Sequence, residues 1–163
     1  MYGGEYMASV SIGEVRPVKE NGMKIWEGPS VLNPTKTIMV IVTGLVRKSK
    51  NPKTDNMYQS FILLKDTPPH HAVKTGEDEA VCGDCLLRPI RKKLRLKAGL
   101  DRPCYVKTFQ APLSVWKAHK DKPVTPPEEA RLMLMDKPFR YGAYGDPAAV
   151  PAEAWAAVPR GGE

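Results

Sequence analysis

The seven residues Thr37-Ile38-Met39-Val40-Ile41-Val42-Thr43 constrain this chain most. They form an unbroken apolar run, rich in β-branched side chains and bounded by threonines. That length and composition favour a buried strand. A polar, basic, turn-forming stretch follows, with Arg47, Lys48, Lys50, Asn51, Pro52 and Lys53, and Met57 to Leu64 then reads as a second strand. The two are expected to pair as a hairpin with a long basic tip.

Sixteen prolines in 163 residues divide the rest into short elements. Ala8, Val10 and Ile12 alternate as a short strand would. Gly28-Pro29-Ser30 signals a turn, and Pro68-Pro69-His70-His71 is expected to break the chain. Residues 90–100 fit a helix or a strand equally. A strand is expected over 104–109 and a helix over 112–119. A second helix is expected over 128–135, with Thr125 supplying the cap and Glu128 on the favourable side of the dipole. A strand follows over 140–145, then a turn or helix start at Asp146-Pro147 and a helix over 152–158. The expected fold is α+β: an N-terminal β-hairpin layer, a cysteine metal knuckle and C-terminal strand–helix units. One domain would span 23–158, after a poorly ordered segment 1–22 and before a tail 159–163.

Apolar residues make up 42% and charged residues 26%, ordinary for a soluble globular chain. The net charge of +7 favours nucleic acid or another polyanion as partner. The apolar runs 38–42 and 154–158 are too short to span a bilayer, so no membrane is expected. The N-terminus lacks the basic start and apolar run of a signal peptide. Three cysteines are an odd count and exclude a closed disulfide framework. Together these features point to a reducing, cytoplasmic setting.

The cysteines carry the chemistry. Cys82-Gly83-Asp84-Cys85 has the spacing that lets two sulfurs face one ion, with Gly83 permitting the tight turn. Cys104 supplies a third thiolate. For a tetrahedral zinc site the fourth ligand would be His71 or His119, with His70 a further candidate and Asp84 a weaker oxygen donor. An iron–sulfur cluster on the three cysteines is the alternative cofactor. Between the cysteines lie Arg88, Arg91, Lys92, Lys93, Arg95, Lys97 and Arg102. These are candidate phosphate contacts, and Tyr105 is a candidate for stacking on bases. Phe109 is expected in the core. Asp146, between the expected strand and the turn or helix start that follows it, is a candidate ligand-binding residue, with a helix cap as its simpler role. Gly-rich phosphate loops, Ser-His-Asp order and metalloprotease motifs are absent from the sequence.

Several of these stretches resemble a family of bacteriophage proteins without an assigned activity. The resemblance runs through Trp26-Glu27-Gly28-Pro29-Ser30, Asn51-Pro52-Lys53-Thr54, Val81-Cys82-Gly83-Asp84-Cys85, Cys104-Tyr105-Val106, Ala111-Pro112-Leu113-Ser114-Val115-Trp116 and the run from Gly142 to Pro151. It implies a phage-encoded accessory protein at work in a host cell. A fainter similarity reaches phage proteins described as radical-SAM-like, which implies a βα barrel and a three-cysteine cluster. This chain departs from them, because its cysteines lack the CxxxCxxC spacing. Three functions are therefore expected: a metal-stabilised nucleic-acid binder, a cut-down radical-SAM-like iron–sulfur or nucleotide-modifying enzyme, or a protein that captures an acidic host protein.

Overall fold

A computed structural model describes residues 19–54, 56–88 and 103–159. The expected hairpin is its centre. Strand β2 (Thr37–Thr43) pairs antiparallel with β3 (Tyr58–Leu64), from Ile38 opposite Leu64 to Thr43 opposite Gln59. Ile38, Met39, Val40, Ile41 and Val42 are all fully buried. The unbroken apolar run is thus explained by burial on both faces of the sheet. The basic tip is exposed at Lys48, Lys50 and Lys53.

Two further strands complete a sheet of order β1-β2-β3-β4. Strand β1 (Gly22–Pro29) pairs antiparallel with β2, with a register shift between Lys24 and Trp26. Lys24 is buried, and its ammonium reaches Glu27 at 2.6 Å and the Lys120 carbonyl at 2.8 Å. A buried lysine disguises this strand in the sequence. Strand β4 (Phe139–Tyr144) pairs parallel with β3, Tyr58 opposite Phe139 and Gln59 opposite Arg140. The C-terminal strand therefore joins the hairpin in one sheet. Gly142, at φ +64°, sits where the β3–β4 register shifts, and its N–H donates to the Ser60 hydroxyl at 2.9 Å.

Parallel neighbours need a long crossover. Here it runs through helices α1 (Pro69–Thr75), α2 (Glu79–Cys82), α3 (Ala111–His119) and α4 (Pro127–Met133). The prolines at 68 and 69 open α1 and do not simply break the chain, because proline fits the first turn of a helix. Helix α3 matches its expected span, and the Trp116 indole N–H donates to the Leu64 carbonyl at 2.8 Å, fixing α3 to the end of β3. Helix α4 is capped by Pro126 without a side-chain bond, so Thr125 does not serve there. Instead the Thr125 N–H donates to the Lys24 carbonyl at 2.7 Å along the open edge of β1. Residues 104–109 form no strand, and Ala152–Ala157 is a 3₁₀ helix. The expected strand at 8–12 and the segment 90–100 lie outside the described residues.

Candidate functional site

Four elements meet at one corner of the sheet. The buried Ser30 hydroxyl, just past β1, donates to the Ala80 carbonyl of α2 at 2.6 Å. The Val31 N–H donates to the Ala149 carbonyl at 2.9 Å, and the Asp146 N–H, after β4, donates to the Val81 carbonyl at 2.6 Å. Gly145, at φ +84°, makes this docking possible. A Cβ there would stand 2.7 Å from Ile62 Cβ and 2.8 Å from the Ile62 carbonyl oxygen. The Cys82 motif and the Gly145-Asp146 motif, far apart along the chain, are therefore neighbours.

The cysteines sit on this corner. Cys82 ends α2, and Gly83 turns the chain at φ +54°. The Cys85 N–H donates to the Cys82 carbonyl at 3.3 Å and the Arg88 N–H to the Cys85 carbonyl at 3.0 Å. The tight turn expected of Gly83 is present. Cys104 returns to the same place, its N–H donating to the Leu87 carbonyl at 3.2 Å. All three are thiols outside disulfides, with Cys85 exposed and Cys82 and Cys104 half-buried.

One ion pair locks the turn. The Arg88 guanidinium grips both oxygens of Asp78, Nε to Oδ2 at 3.0 Å and Nη2 to Oδ1 at 2.9 Å. It also donates to the Gly83 carbonyl at 2.7 Å and the Gly76 carbonyl at 3.2 Å. The Asp78 side chain is only 2% exposed. The bidentate geometry and burial make this a structural clamp. Arg88, grouped with the phosphate contacts by its sequence neighbours, has its donors occupied here. Asp78 carries no sequence mark that separates it from Glu77 and Glu79, so the clamp was not legible beforehand.

Burial pushes the Cys82 thiol up to about 12, with the charges of Asp78, Cys85 and Cys104 adding to the shift and Arg88 opposing it. Cys82 is therefore a protonated thiol at neutral pH, ill suited to act as a redox nucleophile. A bound metal would reverse this by deprotonating the coordinating thiol. Three soft donors at one corner suit zinc or iron. Yet among the described residues no three His, Cys, Asp or Glu side chains are arranged as a metal-holding group.

His119 does not join the cysteines. His119 is buried at the Gly22 end of β1, where its Nε2 lies 2.8 Å from the position of a Cβ on Gly22. Its Nδ1 lies 3.0 Å from the Val115 carbonyl. Ser30 and the cysteine corner lie beyond the other end of this eight-residue strand, roughly 25 Å away at about 3.3 Å per residue. His119 as fourth ligand is thus corrected: helix α3 delivers it to the far end of the sheet. His71 is exposed in the first turn of α1, its ring 4.3 Å from that of His70. Asp84 is exposed between the cysteines. Asp146 takes its simpler role, its carboxylate accepting from the Ala148 N–H at 2.9 Å to cap the short 3₁₀ turn Pro147–Ala149.

Beyond Cys104, exposure alternates. Tyr105 is 73% exposed, Lys107 is exposed and Phe109 is 62% exposed, whereas Val106 is half-buried and Thr108 is buried. Phe109 is therefore not a core residue as expected, because the buried Thr108 takes the inward position. The Tyr105 hydroxyl accepts from Arg140 Nη2 at 2.9 Å, and Arg140 also donates to Gln59 at 3.2 Å. Arg140 is a neighbour the sequence did not suggest. Arg91, Lys92, Lys93, Arg95, Lys97 and Arg102 lie outside the described residues.

No family model, curated protein or solved structure matches this chain. Among the described residues, no helix is long and apolar enough to cross a membrane.

Proposed function

We propose that this protein is a phage-encoded accessory factor that binds nucleic acid through its basic segment, with zinc drawing Cys82, Cys85 and Cys104 together to brace the base of that segment. The observation that carries the reading is how the segment is fastened. Leu87 and Cys104 share a backbone hydrogen bond, and Arg88 is clamped to Asp78. The residues flanking the stretch that carries Arg91, Lys92, Lys93, Arg95, Lys97 and Arg102 thus meet at one point of the fold. Fixing both ends lowers the entropy lost when the segment engages a partner. Six cations against the single acid Asp101 supply attraction to phosphate.

The test is binding to a labelled DNA duplex across a salt series. Each phosphate contact adds about 0.9 to the slope of log affinity against log salt. Replacing Lys92, Lys93, Arg95 and Lys97 by glutamine should flatten that slope and weaken binding. Absence of salt-sensitive binding would overturn the reading and favour capture of an acidic host protein. Elemental analysis addresses the metal. Zinc near one per chain supports it; iron in a brown anaerobic preparation would turn the reading toward an iron–sulfur enzyme.

A further inference from the structure

We infer that the surface beside the cysteine corner is a stacking platform for unpaired bases, so that the ligand is single-stranded nucleic acid. This rests on the nucleic-acid reading above and narrows its substrate class. Charge alone would suit a duplex equally well. Tyr105 and Phe109 are what a duplex does not need. Both expose most of their side chains to water, which is costly for large apolar rings unless a partner covers them. Both lie directly after the basic segment, with the exposed Lys107 between them. Leu86, 90% exposed, and Leu87, 45% exposed, extend the apolar surface across the hydrogen bond from Leu87 to Cys104.

The tyrosine is also held in place. Its hydroxyl is tethered by Arg140, which is itself anchored to Gln59 on the neighbouring strand β3. The ring is pinned at its tip while most of it stays open. A ring fixed this way loses little freedom on binding, which favours its use as a recognition surface. Arg140 further places a cation beside the ring, where a phosphate linking stacked bases would lie. Aromatic rings between cations are how single strands are gripped without sequence preference, because every base offers a flat face while the backbone supplies charge.

The experiment compares a labelled 16-nucleotide oligothymidylate with a 16-base-pair duplex, for the wild-type chain and the variants Tyr105→Ala, Phe109→Ala, Tyr105→Phe and the four-glutamine charge variant. The single strand should bind more tightly than the duplex. Tyr105→Ala and Phe109→Ala should each weaken single-strand binding about tenfold with little change on the duplex. Tyr105→Phe, which keeps the ring and loses the tether, should cost under about threefold. Both positions are largely exposed, so circular dichroism should show an unchanged fold. If the alanine variants bind the single strand as wild type does while the charge variant loses binding, the stacking inference is overturned and the nucleic-acid reading stands. If the wild-type chain binds neither probe, both are overturned.

Discussion

Replacing Arg88 with methionine tests whether this residue is a clamp or a phosphate contact. Met keeps an unbranched apolar stem and removes the charge and donors. The Asp78 carboxylate, 2% exposed, would then lose the cation that faces it together with the 2.9 and 3.0 Å bonds. Removing one member of a buried pair costs about 3–5 kcal/mol, because the other charge is left desolvated. The carbonyls of Gly76 and Gly83 also lose a donor, although both glycines are half-buried and water replaces part of that loss. At about 2–4 °C per kcal/mol for a chain of this size, Arg88→Met should lower the melting temperature by about 10 °C. Urea denaturation of the single variants and of Asp78→Leu/Arg88→Met gives the coupling. The double variant should recover most of the loss, since an apolar pair of similar volume can replace a buried ion pair at little cost. A loss under about 1 kcal/mol in Arg88→Met, or additive losses in the double variant, would refute the clamp. A phosphate contact would show the opposite pattern: unchanged melting and a salt slope reduced by about one.

Three further outcomes are expected. In zinc-loaded protein, Cys82→Ser should abolish stoichiometric zinc and lower stability by several kcal/mol, read by elemental analysis and thermal melting; an unchanged melting point would remove the structural metal. Burial, and then the hydrogen bond to Asp136, hold the Tyr58 phenol above the usual range. Because the folded value is the higher one, its contribution to stability is intact below about pH 10 and declines as pH rises above it. The urea midpoint should fall from pH 9.5 to 11, and absorbance at 295 nm should show a late tyrosine that Tyr58→Phe removes; a wild-type titration matching that of the variant would contradict this. Gly145→Ala should cost about 2–4 kcal/mol, from its positive φ and the contacts with Ile62. A loss below about 0.5 kcal/mol in denaturation would mean that the corner is not held by close approach of these backbones.

The sequence by itself determined the elements whose signal is local. The run from Thr37 to Thr43 could satisfy its apolar side chains only inside a sheet, and Met57 to Leu64 lay beyond one polar loop as partner. Helix α3 and the turn at Gly83 likewise follow from residues next to one another. The tertiary structure decided everything that depends on distant neighbours. Nothing in Phe139 to Tyr144 names β3 as its parallel partner, because parallel pairing is closed by a crossover and leaves no period in the sequence. Lys24 reads as polar until Glu27 and the Lys120 carbonyl make its burial tolerable. Arg88 reads as one more cation until Asp78 is found beneath it. His119 and Cys104 flank the same stretch of chain, yet α3 carries one to the far end of β1 while a backbone hydrogen bond returns the other to Leu87. Local propensity fixes a segment's shape; which charges and thiols meet is set by how the sheet closes.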